Sequence, residues 1–222
     1  MNPKKVTIVI PTYNQVETLA DAVESALSQT IPCEIIVVDD GNQNGTAALL
    51  KDYPVTVIHQ VNKGLSSARN TGIMHATGEY VLPLDSDDIL MDNCAEKLLQ
   101  IAETTGADVV SGSFKEFGKS NAKVILMPAP TIEDFKMGNR IGYCSLIKKA
   151  VLLEVGGYSP RMTWGFEDYA LWFDLLKRGK TFVTTPEILW LYRTKEISMM
   201  TESLKHKEEL LAQITKDHGI IF

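Results

Sequence analysis

The N-terminal part of the chain alternates between short apolar runs and longer segments whose apolar residues recur at helical spacing. The short runs are rich in β-branched residues, so they predict strands that are buried on both faces. The predicted strands lie at residues 6–10, 34–38, 55–59 and 80–84, and the predicted helices at residues 15–28, 46–51 and 65–76. Strands and helices that alternate in this way predict an α/β fold with a parallel, doubly wound sheet.

Two turn signals refine the connection after the first strand. We expect Pro11 to end this strand, because proline cannot donate to the hydrogen-bond ladder of a sheet. We expect Asn14 to cap the helix that follows, with Glu17 completing a capping box.

The pattern is less regular in the second half of the chain. Helices are predicted at residues 92–104, 131–137, 148–155, 167–178 and 201–216, and strands at residues 108–111, 143–147, 181–183 and 188–192. Residues 118–121 have the composition of a hairpin turn between strands at residues 114–117 and 123–127.

Composition and charge narrow the class of protein. With 222 residues, 45% of them hydrophobic, the chain is long enough for one sizeable domain, and its net charge of −6 argues against a general nucleic-acid binder. Cys33, Cys94 and Cys144 are far apart and odd in number, which indicates buried thiols in a reducing compartment. Residues 1–5 lack the apolar region of a signal peptide, and no apolar run approaches about 18 residues. We therefore expect a soluble cytoplasmic protein without a transmembrane segment.

Three carboxylates follow the predicted strand at residues 80–84. Asp85, Asp87 and Asp88 lie where that strand ends, and ligands of open α/β sheets bind at this edge. Carboxylates this close repel one another unless a positive charge lies between them, and a divalent cation shared with nucleotide phosphates would supply it. An acidic turn that only solvates the loop is the alternative. A calcium loop of the EF-hand type is excluded, because Ile89 and Leu90 occupy a required ligand position and the required glycine.

Several motifs occur in an order that carries a family resemblance. They lie at residues 10–14, 37–41, 62–64, 68–72, 78–80, 84–88, 156–158, 167–168 and 171–172. Together they resemble the family-2 glycosyltransferases of the GT-A fold, from residue 5 to about residue 200. The resemblance implies a Rossmann-like, mostly parallel central sheet flanked by helices, with a smaller mixed sheet on the acceptor side.

The resemblance also divides a single GT-A domain into parts. Residues 1–112 would bind the nucleotide sugar, residues 113–200 would supply the acceptor site and the catalytic base, and residues 201–222 would form a C-terminal helix. The implied reaction transfers a sugar, with inversion, from a nucleotide-sugar donor to a hydroxyl acceptor. A UDP-sugar, a divalent metal (Mn²⁺ or Mg²⁺) and a role in polysaccharide assembly are expected. The acceptor would be a lipid-linked glycan, a polysaccharide end or a protein.

On the donor side, the resemblance assigns roles to the acidic residues. Asp87 would hold the metal, with Asp85 beside it and facing the ribose, whereas Asp88 would support the loop. Asp40 would accept a hydrogen bond from the uracil ring, because an unpaired buried acceptor is costly. A turn-forming role is the alternative, and it suits Asp39 better.

Further donor contacts follow from the same motifs. Pro11, Thr12 and Tyr13 would line the base pocket, with Tyr13 packing on the base, unless Tyr13 is a core residue. Arg69 would lie near the nucleotide, where a guanidinium suits a phosphate, or would have a structural role.

The second half would supply the catalytic base. The resemblance assigns this role to Asp168, whereas Glu167 would orient the loop or contact the acceptor, because adjacent helical residues point about 100° apart. Capping of the helix that begins here is the alternative for both acids. Trp164 would stack on an acceptor sugar, or else pack in the core.

One position departs from the family pattern. Many relatives have a histidine near the metal or diphosphate where this chain has Lys195 in the run Tyr192-Arg193-Thr194-Lys195. A charged lysine cannot ligate a metal, but it can pair with a diphosphate. The histidines of this chain (His59, His75, His206 and His218) show no ligand spacing, and we expect them to be structural or exposed.

Two other functions compete with this interpretation. A metal-dependent nucleotidyltransferase would need a glycine-rich basic loop after the first strand, where this chain has residues 12–15. A non-catalytic nucleotide-sugar-binding subunit would keep the pocket and show no turnover. For the charged C-terminal helix, a solvated face, pairing of subunits, and peripheral contact with the inner face of the membrane are the alternatives.

Overall fold

The computed structural model describes residues 5–43, 45–127, 130–196 and 198–222. The strands are β1 (Val6–Thr12), β2 (Cys33–Asp39), β3 (Thr56–His59), β4 (Tyr80–Pro83), β5 (Ile89–Leu90), β6 (Val109–Gly118), β7 (Lys123–Val124), β8 (Ser145–Lys148) and β9 (Phe182–Thr194). The helices are α1 (Val16–Leu27), α2 (Thr46–Leu49), α3 (Leu65–His75), α4 (Cys94–Thr105), α5 (Ile132–Lys136), α6 (Lys149–Val155), α7 (Glu167–Lys177), α8 (Met199–Lys205) and α9 (Lys207–His218). Residues 1–4, on which the signal-peptide expectation partly rests, lie outside the described residues.

The strands join in one sheet with the order β3-β2-β1-β4-β8-β6-β9-β5, and β7 pairs with β6 at the side of this path. The β1–β2, β1–β4, β2–β3 and β6–β9 pairs are parallel, whereas β8 runs antiparallel to both β4 and β6. The predicted α/β fold with a mostly parallel sheet is therefore confirmed. The smaller mixed sheet implied by the resemblance is not separate: the strands β8, β6, β9 and β5 continue the parallel sheet beyond β4.

Helices cover both faces of this sheet. One core cluster packs α1 and α4 against the sheet, with Leu19, Leu98 and Trp190 among its buried residues. The other packs α3, α6, α7 and α9 against the opposite face, with Leu152 and Trp172 among its buried residues. Strands with helices on both sides have no solvent-facing side, which explains the continuous apolar runs of β1, β2 and β4.

Helix α3 lies unusually close to the sheet. A Cβ atom added at Gly72 would come within 2.2 Å of a methyl carbon of Val9 in β1, so only glycine permits this approach. One turn earlier on the same helix, Arg69 is buried. The glycine therefore helps to set the depth at which Arg69 enters the protein.

Both expectations for the first turn are wrong. Strand β1 continues through Pro11 to Thr12, which is possible because β4 pairs with β1 only as far as Val9. Asn14 has a φ of +52°, which asparagine tolerates, and α1 begins after Gln15 without a side-chain cap. The backbone N–H of Asn14 instead donates to Asn42 Oδ1 at 2.5 Å.

The second half differs from prediction where strands are long. Strand β9 is continuous where two strands were predicted, because Pro186 and Glu187 lie in a register shift between the Thr185 and Ile188 pairs of the β6–β9 ladder. The short strand β5 was not predicted. The predicted C-terminal helix is two helices, α8 and α9, which meet at His206.

Candidate active site

The candidate site lies at the edge of the sheet where β1, β2 and β4 end. Because these strands are parallel, Thr12, Asp40 and Asp85 reach the same edge, as expected for a ligand site of an open α/β sheet. The backbone N–H of Asp40 donates to the carbonyl oxygen of Thr12 at 3.0 Å, which fixes the β1 and β2 ends together.

Arg69 joins the two halves of the chain at this edge. Its side chain is 1% exposed, and its guanidinium contacts Asp85 Oδ1 at 2.6 Å and Glu167 Oε1 at 2.5 Å. The rings of Tyr143 and Tyr158 lie 5.0 and 5.2 Å from its Cζ atom. A charge this deeply buried is tolerated only when it is paired, so Arg69, Asp85 and Glu167 form one interdependent unit. This unit places the acidic loop beside the start of α7.

Burial and this ion-pair unit set the pKa values of the site. Burial raises the pKa of Asp85 to about 6, although the charge of Arg69 opposes the rise. Burial disfavours the charged form of Arg69, but Asp85 and Glu167 hold its pKa well above the ordinary value. The arginine is therefore a permanent positive charge.

Glu167 and Asp168 diverge at the first turn of α7. Glu167 is buried against Arg69, whereas Asp168 Oδ2 accepts a hydrogen bond from Asn139 Nδ2 at 2.8 Å. The residue before them, Phe166, has a φ of +61° and offers no side-chain cap to the helix. The capping alternative therefore does not describe Glu167, whose carboxylate is used by Arg69.

The pKa of Asp168 lies near neutrality. Burial and then the neighbouring charge of Glu167 raise the pKa of Asp168, whereas Arg69, the N–H of Tyr169 and Asn139 oppose the rise, and the resulting pKa is about 7. A carboxylate with such a pKa exchanges a proton readily at neutral pH. Asn139 was not predicted, because it lies in the connection between α5 and β8 and belongs to no motif.

Asp88 supports the acidic loop, as expected. It is buried and accepts hydrogen bonds from the Tyr143 hydroxyl at 2.6 Å and from the backbone N–H of Arg193 at 2.7 Å. Burial, followed by the charges of Asp85 and Asp87, raises its pKa well above the ordinary value. With both oxygens engaged inside the protein, Asp88 is poorly placed to ligate an ion.

Asp87 faces Lys195. Its Oδ2 atom lies 2.7 Å from Lys195 Nζ, and Lys195 also donates to Gln15 Oε1 at 2.8 Å. Arg193 donates from Nε to the carbonyl oxygen of Asp87 at 2.7 Å. The end of β9 and the residue after it therefore contact both the backbone and the carboxylate of Asp87.

The acids after β2 have separate surroundings. Asp39 forms the turn, accepting from the backbone N–H and the Nδ2 of Asn42 at 2.8 Å each, with His59 Nδ1 at 3.1 Å. Asp40 is buried; its Oδ1 accepts from Gln60 Nε2 and the Lys63 N–H, and its Oδ2 from the Gly64 N–H, at 2.7, 2.9 and 2.9 Å. The turn-forming alternative thus describes Asp39.

The aromatic residues assigned to ligands are exposed. Tyr13 is 49% exposed and Trp164 is 45% exposed, so neither is a core residue. One face of the Trp164 indole stacks on the His206 ring, with centroids 4.3 Å apart and planes 7° from parallel. Pro11 and Thr12 are buried beside Tyr13, and the Thr12 hydroxyl has no hydrogen-bond partner among the described residues.

The residues fit a metal ion only in part. In the described ranges there is no group of three or more His, Cys, Asp or Glu residues that could hold one. Asp85 is paired with Arg69, and Asp87 with Lys195. Asp87 is the better candidate of the two, because its partner is half-exposed whereas Arg69 is fixed in the core. An ion here would take Asp87 together with oxygens of the donor diphosphate and water.

No helix in the described part of the chain is long and apolar enough to cross a membrane.

The histidines were expected to be structural or exposed, and they lie outside the acidic loop. His59 contacts Asp39, His75 contacts the Thr71 carbonyl oxygen, His206 stacks on Trp164, and His218 lies at the end of α9.

Comparison with known proteins places the chain in a family. The family model described as Glycosyl transferase family 2 matches residues 7–170. The chain is 30% identical over 225 residues to WfaP of Escherichia coli, named a UDP-Glc:alpha-D-GlcNAc-diphosphoundecaprenol beta-1,3-glucosyltransferase, and the match covers 97% of this chain and 87% of that protein. It is 40% identical over 123 residues to Glycosyltransferase GlyG of Streptococcus pneumoniae, a match that covers 52% of this chain and 41% of the relative.

Some relatives are much longer than this chain, which spans 41%, 33% and 18% of the length of GlyG and two further curated relatives. Among solved structures, TarS 1–349 of S. aureus in complex with UDP-GlcNAc has a TM-score of 0.81 and 18% sequence identity. That match covers 98% of this chain and 68% of the TarS chain. The likeness shows that the fold is GT-A.

We predict that Arg69→Met lowers the free energy of unfolding by about 3–5 kcal/mol, because it leaves two carboxylates facing each other without their shared cation. Chemical denaturation would measure this loss. The matched control is Arg178→Met, which removes an exposed pair with Asp174 and should cost about 1 kcal/mol or less. Equal losses in the two variants would show that Arg69 has no special structural role.

Proposed function

Because the chain belongs to glycosyl transferase family 2, we propose that it moves a sugar from a nucleotide-sugar donor to an acceptor hydroxyl in glycan or polysaccharide assembly. The observation that carries the proposal is the unit of Asp85, Arg69 and Glu167. It brings the loop expected to hold the donor and the carboxylate expected to act as base into one site. A glycosyl transfer needs the donor and the base on opposite sides of one anomeric carbon.

The donor we propose is a UDP-sugar, and the hydrogen bonds of Asp40 support this choice. Its Oδ1 already accepts two N–H groups, whereas its Oδ2 accepts one from the described residues. A carboxylate oxygen has two lone pairs, so one acceptor position remains for a base. Uracil offers a single ring N–H, whereas guanine offers N1–H and N2–H₂ side by side and would need both oxygens. Tyr13, with Pro11 and Thr12, would form the wall on which the base packs.

The leaving diphosphate needs positive charge as its bond to the sugar breaks. We propose that Asp87 holds a divalent ion, Mn²⁺ or Mg²⁺, at the diphosphate, with Asp85 beside it facing the ribose. Bound there, the ion would supply Lewis-acid stabilisation of the leaving group. Lys195 would add a charge to the same phosphates. Arg69 lies deeper, and its proposed influence on the nucleotide is exerted through Asp85.

Asp168 is the proposed catalytic base. It would remove the proton of the acceptor hydroxyl as that oxygen attacks the anomeric carbon from the face opposite the diphosphate, which inverts the configuration. Its pKa of about 7 lets it accept this proton near neutral pH. Asn139 holds its Oδ2 atom and acts as a positioning residue.

The acceptor would enter on the side of Trp164 and Glu167. The uncovered part of the exposed indole suits the apolar face of a sugar ring, and Glu167 would hold the loop through Arg69. The name of WfaP describes a lipid-diphosphate-linked sugar as acceptor. We propose an acceptor of that kind, used by a cytoplasmic protein that makes peripheral contact with the inner face of the membrane.

The competing functions have less support. A nucleotidyltransferase would need a glycine-rich basic loop after β1, and this chain has Thr12-Tyr13-Asn14-Gln15 there. A non-catalytic subunit would not need a carboxylate with a near-neutral pKa beside the donor loop. Release of UDP from UDP-sugars, measured with and without acceptors, separates binding from turnover.

We predict that kcat/KM rises with pH through an apparent pKa of about 7, because the deprotonated form of Asp168 is the active base. Asp168→Asn should lower kcat about 10²–10⁴-fold while UDP binding persists. Asn139→Ala should move the rise to higher pH, because the lost hydrogen bond stabilised the charged carboxylate. Initial rates of UDP release across pH 5–9 would measure both effects. Near-normal transfer by Asp168→Asn would refute the assignment.

We predict that UDP binds at least about tenfold more tightly than GDP, since guanine would leave one of its two donors unpaired at Asp40. Isothermal titration calorimetry would measure both affinities. Asp40→Asn should weaken UDP binding, because the acceptor for the uracil N–H is lost, whereas Asp52→Asn at an exposed turn should leave UDP binding unchanged. Equal affinities for UDP and GDP in the wild-type protein would count against base reading by Asp40.

A further inference from the structure

Lys195 directly follows β9 and contacts the residue expected to hold the metal. Its Nζ atom is 2.7 Å from Asp87 Oδ2 and 2.8 Å from Gln15 Oε1. The Asp87 side chain is 21% exposed and that of Lys195 is 32% exposed. The pair is therefore open enough to separate without exposing the core.

Lys195 does not hold the acidic loop in shape. Arg193 does so, through its Nε bond to the Asp87 carbonyl oxygen and its backbone bond to Asp88 Oδ1. The Arg193 guanidinium is itself fixed by Asp21 at 3.0 Å and by the Phe117 ring, whose centroid is 4.4 Å away. The loop can keep its conformation when the lysine side chain swings aside.

Each acid of the loop has its own partner. Asp85 is neutralised by Arg69, and Asp88 is satisfied by Tyr143 and the Arg193 N–H. In the described part of the chain, Lys195 is the cation that pairs with Asp87. Lys195 contacts only the Oδ2 atom of Asp87. A divalent ion on either oxygen of this carboxylate would lie within a few ångströms of the Lys195 ammonium, and the repulsion between the two cations would favour displacement of Lys195.

We propose that Lys195 is a built-in counter-ion that competes with the divalent metal for Asp87 and transfers its charge to the donor diphosphate when metal and nucleotide bind together. This inference rests on the proposed function. Competition by Lys195 would make metal binding weak in the absence of nucleotide, because the Lys195 ammonium would be displaced without gaining a new partner. The diphosphate supplies that partner, so each ligand strengthens binding of the other through Lys195.

The test compares wild-type protein with Lys195→Met. Binding of Mn²⁺ alone is followed by electron paramagnetic resonance of the free ion, and binding of UDP alone by calorimetry in EDTA. Lys195→Met should bind Mn²⁺ alone about fivefold more tightly, because the half-exposed ion pair between Lys195 and Asp87 no longer opposes binding. The same variant should bind UDP without metal about fivefold more weakly, because the phosphate loses a cation. The opposite signs distinguish competition from general damage.

Lys119→Met is the matched control, because it makes the same substitution at a surface lysine that pairs with Glu196, the residue after Lys195. It should change neither affinity. Lys195→Gln serves as a second charge-removing variant if the Met variant unfolds at lower temperature, and the same two signs are required of it. Mn²⁺ binding to both Lys195 variants that is unchanged or weaker would overturn the inference. Wild-type protein that binds neither UDP nor Mn²⁺, separately or together, would overturn the proposed function instead.

Discussion

The burial of one guanidinium between two carboxylates is the constraint on which the site depends. Arg69 is inserted from α3 at a depth that Gly72 permits, and its charge is balanced by Asp85 after β4 and Glu167 at the start of α7. Loss of either carboxylate would leave this buried charge less well compensated. The loop after β4 and the start of α7 are therefore held together by electrostatics as well as by packing.

The same unit shapes the chemistry on either side of it. Burial raises the pKa of Asp168 and the charge of the neighbouring Glu167 adds to the rise, whereas Arg69 opposes it, and the resulting pKa is about 7. This is an expensive arrangement for stability: the folded protein favours a proton on Asp168 that the unfolded chain would lose near pH 4, so stability from this group is lost as the pH rises through about 7. The near-neutral pKa that suits the proposed role of Asp168 is therefore unfavourable for folding.

The pattern of apolar residues predicted the helices and strands that depend mainly on residues close together in the sequence. The apolar runs of β1, β2 and β4 and the helical spacing of α1 were recognisable because each is buried in a simple layer. The continuous strand β9 was not, because Pro186 is accommodated by a bulge against β6, and that pairing joins distant parts of the chain. The extension of β1 through Pro11 likewise depends on where its neighbour β4 stops.

The motifs named the site residues, but they did not reveal their partners. Asp85 and Glu167 were each singled out, yet nothing local shows that Arg69 links them, and Asn139 belongs to no motif. The contact between Asp87 and Lys195 spans the chain from β4 to the end of β9, so only the folded topology creates it. Residue type and order thus indicate the chemistry, whereas the charge balance of the site is a property of the tertiary structure.

A double-mutant cycle on Asp85→Asn and Glu167→Gln tests whether the two carboxylates share the buried charge of Arg69. The measured quantity is the free energy of unfolding. Each single variant leaves Arg69 one carboxylate and relieves the repulsion between the two acids, whereas the double variant leaves a buried cation without a charged partner and relieves that repulsion only once. The double variant should be less stable than the sum of the single effects by about 1 kcal/mol or more. Effects that add to within about 0.5 kcal/mol would contradict it, because the two carboxylates would then not share one buried charge.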